Sequence, residues 1–211
     1  MGFSKYKAPQ VLALPVGATF QMRSLIKLPG APGDWARTGG GPIKWAFSRK
    51  LPSGEIERMT CLPRYPVGQT CYLGVPHWRC QAEGWERGAI SFVPMPRPTW
   101  KAMGGRYLPQ SAATGWAVPI EIRVQRVGNI TEADALAELV EHMRVPQTGQ
   151  WLWRDYLADE TDGALFRLYT RRESFFTMLD AANGGKPVPR DTWCFAYTLH
   201  KISREETAAH A

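Results

Sequence analysis

Cysteine and histidine are the residues of this sequence whose chemistry depends most on their spacing. Cys61, Cys71 and Cys80 follow one another at intervals of ten and nine residues, His77 precedes the third, and Cys194 stands apart. Structural zinc sites usually contain closely spaced cysteine pairs, and this sequence has no CxxC. We therefore expect small buried thiols in a reducing compartment and no metal site. A zinc site that includes His77 is the alternative.

A glycine run between Arg37 and Lys44 has the composition of a phosphate-binding loop, because successive glycine amides can bind an anion. The Gly-Lys-Ser/Thr ending of a nucleotide-binding loop is missing, and Pro42 removes one amide donor, so we expect a surface loop. Basic and aromatic residues alternate around it, which is what a surface for single-stranded nucleic acid requires. They are Trp35, Arg37, Lys44, Trp45, Arg49 and Lys50, and they could flank a nucleic-acid groove.

The formal charge favours an anionic partner. Lys and Arg number 26, Asp and Glu number 19, the charge is +7, and the 44% hydrophobic content excludes a disordered tail. Up to Gly105 the chain has 14 basic and 5 acidic residues, and after it 12 and 14. The basic excess therefore lies in the first half, where it would attract RNA, DNA or a nucleotide. A solubilising surface charge is the alternative.

Periodicity and capping residues predict the elements that position these groups. Alternation of apolar and charged residues predicts a strand over 118–124. Thr131 can cap a helix predicted over 131–143, and a second helix is predicted over 172–182, ended by the glycines after Asn183. The apolar stripes of the two helices are Leu136, Leu139, Val140 and Met143, and then Phe175, Phe176, Met178 and Leu179.

The rest of the chain completes an α+β order. The segment 28–60 is predicted to be a loop-rich insertion, 144–170 a variable connection and 203–211 a frayed tail. A closing strand is predicted from Trp193 to Ile202. We expect one domain over 1–211, a small mixed β-barrel flanked by helices, because short strands need closure or cover at their edges.

The opening of the chain contains one further pattern, whose residues are Ala8, Pro9, Val11, Ala13, Gly17, Gln21 and Arg23. In these positions the chain resembles phage and prophage proteins of the ASCH superfamily, activating-signal-cointegrator homology domains built on a PUA-like barrel. Further matches follow in order over most of the chain, around Tyr65, Tyr72, Trp78, Tyr107, Trp116, Trp153, Arg172 and Trp193. The resemblance implies a PUA-like barrel with a ligand cleft.

The signature of this family, glycine-x-lysine-x-x-glutamate-x-arginine, is degenerate here. Its lysine, glutamate and last arginine fall on Thr19, Met22 and Ser24, so that Gly17 and the neighbouring Arg23 remain. The resemblance implies that members of the family with amide-hydrolase activity use a threonine, a lysine and a glutamate. A threonine without an ionisable partner is a poor nucleophile. We therefore expect binding rather than catalysis, with Thr19 catalytic only if hydrolysis survives.

The resulting expectation is a phage or prophage accessory protein that binds RNA or a nucleotide in its cleft without a cofactor. The residues expected to contact the ligand are Gln21, Arg23, Trp78, Arg79, Trp116 and Arg154. Arg154 and the adjacent Asp155 also have a structural interpretation, since opposite charges at a turn often satisfy local backbone groups.

Other functions remain open. One is a protein-interaction module that docks on a host or phage protein and interferes with host defence. Another is an amide hydrolase acting on a modified nucleobase, and ribonuclease activity would use His77 and Arg79. No apolar stretch approaches a membrane span and the first residues lack a signal sequence. We therefore expect a cytoplasmic protein, in the host cytoplasm if phage-encoded, with no membrane partner.

Overall fold

The computed structural model of this chain describes residues 8–41, 43–74, 77–80, 90–91, 100–103, 107–113, 115–159 and 165–210. At residues 8, 9, 78, 80, 90, 91, 100, 102 and 208–210 it describes the backbone alone. Two compact units are present. The first consists of Met1–Ala18, Gln69–Val118 and His200–Ala211, and the second of Thr19–Gly68 and Pro119–Leu199.

Strands predominate over helices in this fold, which confirms the predicted mixture of a strand-rich core with a few helices. In chain order the elements are α1 (Ala8–Ala13), β1 (Thr19–Leu25), β2 (Ala36–Gly40), β3 (Trp45–Lys50), β4 (Ile56–Cys61), β5 (Cys71–Tyr72), β6 (His77–Cys80), β7 (Ile90–Ser91), β8 (Trp100–Met103), β9 (Trp116–Arg126), α2 (Glu132–Ala137), β10 (His142–Arg144), β11 (Trp151–Arg154), β12 (Phe166–Arg167), α3 (Arg171–Ala182) and β13 (Trp193–Ile202).

The second unit is built on three neighbouring strands, with β13 between β1 and β9. The antiparallel sheet β2-β3-β4 packs against β13 through aromatic side chains. The ring centres of Trp45 and Phe195 are 5.3 Å apart, and those of Phe47 and Trp193 are 5.5 Å apart. Helix α2 packs on β1 and on α3. The core of this unit therefore lies between the central strands and the two layers that cover them.

The segment 28–60, predicted to be rich in loops, contains the strands of the sheet β2-β3-β4. The glycine run forms the hairpin between β2 and β3, in which Gly40 pairs with Trp45. Gly40 has a φ of 117°, and a Cβ on it would lie 2.5 Å from the carbonyl oxygen of Lys44. A side chain does not fit there, so these glycines serve a tight turn.

The predicted helix over 131–143 is wrong beyond residue 137. Helix α2 ends at Ala137, Leu139 takes the left-handed conformation with a φ of 62°, and β10 follows. The predicted stripe is also wrong in part, because Leu136 and Met143 are exposed. Asp134 and Glu138 are buried in their place. Polar contacts of these two carboxylates therefore act together with the buried Ala135 to hold α2 against the unit.

Three other predicted elements are confirmed. The strand over 118–124 lies within β9, the closing strand is β13, and α3 begins one residue before the predicted helix. The hydroxyl of Thr170 accepts a hydrogen bond from the Glu173 N–H, and the Glu173 carboxylate accepts one from the Thr170 N–H. This capping box fixes the start of α3. The connection 144–170 holds β11 and β12, which form an antiparallel sheet with β10.

The first unit contains the sheet β7-β6-β8, α1 and the pairing of β5 with the first residues of β9. The tail predicted to fray includes a 3-10 helix, Glu205–His210. The buried amine of Lys201 donates hydrogen bonds to the carbonyl oxygens of Val11 at 3.2 Å, Leu12 at 2.8 Å and Leu14. The last carbonyls of a helix have no partner within it, so Lys201 caps the end of α1.

We expect Lys201→Met to lower the free energy of unfolding by about 2–3 kcal/mol, because three carbonyl groups lose a charged donor. Urea unfolding followed by circular dichroism measures the change. Lys50→Met removes an exposed amine from β3 and serves as the matched control. Equal stability of the two variants would contradict the capping role.

Candidate nucleic-acid interface

Gln21 and Arg23, two of the predicted ligand-binding residues, lie in a buried polar cluster between β1 and α2. Arg23 Nη1 donates to Glu138 Oε1 at 2.6 Å, and these side chains are 2% and 3% exposed. Asp134 Oδ1 accepts hydrogen bonds from Gln21 Nε2 at 3.2 Å and from Arg123 Nη2 at 3.0 Å. The guanidinium of Arg23 is therefore bound to a carboxylate inside the protein, away from any phosphate in solution.

The cap of α2 holds Asp134 in this cluster. The Thr131 hydroxyl accepts a hydrogen bond from the Asp134 N–H at 3.0 Å, and Asp134 Oδ2 accepts one from the Thr131 N–H at 3.2 Å. Burial raises the pKa of Asp134, but hydrogen bonds from Arg123, Thr131 and Gln21 outweigh it and lower the pKa to about 2. One carboxylate thus caps a helix and balances the charge of neighbouring arginines.

Acid should weaken this cluster. The folded pKa of Asp134, about 2, lies below the ordinary value of 3.8, so its ionised form stabilises the fold at neutral pH and this stabilisation is lost between about pH 5 and pH 2. Asp134→Asn should therefore lower the free energy of unfolding by roughly 2 kcal/mol at pH 7 and by about half as much near pH 3. Urea titrations at both pH values measure it, with the exposed Glu55→Gln as control. If Asp134→Asn lowers the free energy of unfolding by the same amount at both pH values, the lowered pKa of Asp134 is refuted.

The ion pair of Arg23 and Glu138 predicts a second effect on stability. Glu138→Ala leaves the buried guanidinium without its closest carboxylate, so we expect a loss of about 3–5 kcal/mol. Adding Arg23→Met should recover part of that loss, because the uncompensated charge is removed. Urea unfolding of the single and double variants gives both values. A double variant less stable than Glu138→Ala would contradict the ion-pair explanation.

Cross-strand register brings aromatic and basic side chains together on one face of the sheet β10-β11-β12. His142 lies opposite Trp153, Arg144 opposite Trp151, and Arg167 opposite Trp153. Directly opposed residues, and residues two apart on one strand, point to the same side of a sheet. These five residues form a single surface, which we call the aromatic-basic face.

The rings of the aromatic-basic face contact one another, and cations lie over them. The ring centre of His142 is 5.0 Å from that of Trp151 and 4.8 Å from that of Trp153. The guanidinium carbon of Arg144 lies 6.0 Å from the Trp151 ring centre, and that of Arg171, at the start of α3, 5.4 Å from the Trp153 ring centre. Trp151 is 50% exposed and Trp153 only 7%. Trp153 is thus the support, and Trp151 is the ring that solvent reaches.

Contacts with α3 anchor this sheet. Arg154, predicted to bind a ligand, pairs through Nη1 with Glu141 Oε2 at 2.6 Å. Its carbonyl oxygen accepts a hydrogen bond from Ser174 Oγ at 2.7 Å, and the Tyr156 N–H donates to Thr177 Oγ1 at 3.1 Å. Arg154 therefore occupies a supporting position beside the aromatic-basic face.

Asp155 stabilises the turn after β11 by hydrogen bonding to a local backbone group, as its structural interpretation predicted. Its carboxylate accepts hydrogen bonds from the Leu157 N–H at 3.0 Å and from Tyr169 Oη at 3.1 Å. It also pairs with Arg167 Nε at 3.0 Å. The Arg167 side chain is nevertheless 46% exposed, so it can contact a second anion from the solvent side.

The other predicted site residues are spread over both units. Thr19, in the second unit, is the exposed first residue of β1. Arg79 is buried in β6 of the first unit, and the side chain of its neighbour Trp78 lies outside the described residues. Trp116, also of the first unit, is half-buried at the start of β9, with the Arg204 guanidinium carbon 5.9 Å from its ring centre. Each unit thus contains part of the predicted set.

The aromatic residues beside the glycine hairpin belong to the core. Trp35 and Trp45 are buried. Arg49 Nε pairs with Glu57 Oε2 at 2.6 Å, and Arg49 Nη1 donates to the Pro29 carbonyl oxygen at 2.9 Å. The rings that the sequence places among basic residues in this segment are therefore not open to a base.

The cysteines fit the expectation of small buried thiols for the most part. Cys71 and Cys194 are buried, and Cys61 is half-buried. Burial raises the pKa of Cys194 to about 12, so its thiol stays protonated at neutral pH. The zinc alternative involves Cys80, whose side chain is not described. Among the residues that the structure describes, no group of three or more His, Cys, Asp or Glu side chains is placed to hold a metal ion.

The aromatic-basic face is not evident from the sequence, for an identifiable reason. The helix predicted through Met143 assigned His142 to a helix, and Trp151 fell in a segment predicted to be a variable connection. Two short alternating patterns, His142-Met-Arg144 and Trp151-Leu-Trp153, were the available signal. Runs of three or four residues are too short for periodicity to identify as strands, and the pairing between them is not local.

Comparison of the chain with protein families, with curated proteins and with solved structures finds no match. In the described part of the chain, no helix has the length and apolar character that crossing a membrane requires.

Proposed function

We propose that this protein binds single-stranded RNA through the aromatic-basic face and catalyses no reaction. The observation that supports the proposal most is the exposed ring of Trp151, which contacts His142 and lies beneath the guanidinium of Arg144. An exposed tryptophan flanked by cations can receive a partner that has both a flat π-face and negative charge. A nucleotide is such a partner, because every base offers a π-face to an aromatic ring.

The cations of this surface suit phosphate groups. Arg144 is exposed, Arg167 is nearly half exposed, and Arg171 lies over Trp153 at the edge of the face. A single strand that stacks a base on Trp151 would bring its flanking phosphates to these guanidinium groups. Each phosphate so neutralised should contribute about 0.7 to the slope of log affinity against log salt.

The exposed ring favours unpaired RNA over a duplex. Bases in an A-form helix are stacked on one another and the deep major groove hides their edges, so a ring on a sheet surface has no base to receive. Unpaired bases can leave the strand and stack on a side chain. The face also extends over three strands, which fits a strand of several nucleotides better than one free nucleotide.

The finer fold that we propose is the PUA-like barrel of the ASCH superfamily. The sequence matches along the chain and the strand-rich fold with few helices support it. In this proposal the RNA surface is the sheet β10-β11-β12, which differs from the cleft that the resemblance implies. Amide hydrolysis at Thr19 stays a prediction, and so does docking on a host or phage protein.

We expect Trp151→Ala to weaken binding of a single-stranded RNA oligonucleotide by roughly 5- to 150-fold, since stacking of one base is worth about 1–3 kcal/mol. Trp151→Phe should retain most of the affinity. Arg144→Ala should lower the salt slope by about 0.7. Fluorescence anisotropy over a salt series measures all three variants.

Tyr107→Ala is the matched control, because Tyr107 is an exposed aromatic residue of the first unit. It should bind RNA as the unaltered protein does. Equal losses of RNA affinity in Tyr107→Ala and Trp151→Ala would contradict binding at the aromatic-basic face. Undetectable RNA binding of the unaltered protein at low salt would overturn the proposed function itself.

A further inference from the structure

The hairpin loop 145–150 joins β10 to β11 at one end of the aromatic-basic face. The Val145 N–H donates to the Gln150 carbonyl oxygen at 2.8 Å, and the Gly149 N–H donates to the Val145 carbonyl oxygen at 2.8 Å. Gly149 has a φ of 69°, in the left-handed region that glycine adopts without steric cost. Its carbonyl oxygen accepts a hydrogen bond from Arg144 Nε at 3.1 Å. The loop therefore holds one edge of the Arg144 guanidinium.

A side chain at position 149 would crowd this guanidinium. A Cβ built on Gly149 would lie 3.3 Å from Arg144 Nη2 and 3.7 Å from Arg144 Nε. An L-residue would also strain the left-handed backbone that carries the carbonyl oxygen. Glycine thus meets two requirements, the conformation of the loop and the close approach of Arg144. Both act next to the exposed ring, because the guanidinium carbon lies 6.0 Å from the Trp151 ring centre.

Arg144 differs from two other arginines of this sheet in what holds it. Arg154 pairs with Glu141, and Arg167 pairs with Asp155. Among the residues that the structure describes, no carboxylate pairs with Arg144, and its hydrogen bond goes to a neutral carbonyl oxygen. Its Nη groups are therefore left to donate to an anion, and the guanidinium fork matches the oxygens of a phosphate group.

We propose that Gly149 is a positioning residue of the RNA surface. Its carbonyl oxygen holds Arg144 beside Trp151, so that the Nη groups of Arg144 bind the phosphate of the nucleotide whose base stacks on the ring. The inference rests on the proposed function and deepens it, because it assigns a role to a residue that itself need not touch RNA. A guanidinium held in place before RNA arrives loses less conformational freedom on binding.

The nuclear magnetic resonance signal of the Arg144 Nε–H group tests the positioning without RNA. The signal is identified as the one that disappears in Arg144→Ala. We expect Gly149→Ala to shift it, because the carbonyl oxygen moves away from the Nε–H group. Gly54→Ala is the matched control and should leave the signal unshifted. Gly54 has a φ of 90° in the hairpin between β3 and β4, and nothing lies within 4 Å of a Cβ built on it.

Fluorescence anisotropy with a single-stranded RNA oligonucleotide tests the consequence for binding. We expect Gly149→Ala to lower the salt slope by up to about 0.7, which is the contribution of one phosphate contact, and Gly54→Ala to leave the slope unchanged. Added to Arg144→Ala, Gly149→Ala should weaken RNA binding no further, because the group that it positions is already gone. A glycine that served the fold alone would weaken binding in both backgrounds.

Three results overturn the inference while RNA binding by the unaltered protein stands. They are an unshifted Arg144 signal in Gly149→Ala, an equal loss of salt slope in Gly54→Ala, and further weakening of RNA binding when Gly149→Ala is added to Arg144→Ala. Failure of the unaltered protein to bind RNA at low salt is a separate result, which overturns the proposed function and the role of Gly149 with it.

Discussion

The buried pairing of Arg23 with Glu138 is the constraint on which the second unit depends. Two charges withdrawn from water must be paired, so β1 and α2 have to meet at one register. Asp134 adds to this constraint because it caps α2 and also accepts from Arg123 of β9. Carboxylates and guanidinium groups thereby join α2 both to β1, which is distant in sequence, and to the preceding strand β9.

The same requirement explains where α2 ends. Glu138 must face Arg23, after which Leu139 takes a left-handed conformation that costs a non-glycine residue about 1 kcal/mol or more. The chain then leaves the helix and enters β10, and His142 can pair with Trp153. The Arg23–Glu138 ion pair thus determines where α2 ends and where β10, the first strand of the aromatic-basic face, can begin. Hydrogen bonds with Ser174 and Thr177 of α3 hold β11 and the turn after it in place.

Arginine residues serve different purposes at different places in this unit. Arg23 neutralises buried carboxylates, Arg154 supports a sheet, and Arg144 lies over an exposed ring. The excess of basic residues in the first half of the sequence pointed to an anionic partner there. The proposed RNA surface lies in the second half, because accessibility and neighbouring rings, rather than the number of charges, make a phosphate-binding surface.

The sequence by itself determined the strand at 118–124, α3 and β13, because long periodic patterns and a capping box are local properties. It also predicted the burial of Cys71 and Cys194 and the role of Asp155. Only the tertiary structure decided that 28–60 and 144–170 fold into small sheets, that Arg23 is buried, and that His142 meets Trp151 and Trp153. The burial of Arg23 depends on a carboxylate far away in the chain. The small sheets and the contacts of His142 depend on pairing between short strands, and the period of a three-residue strand carries too little information to specify its partner.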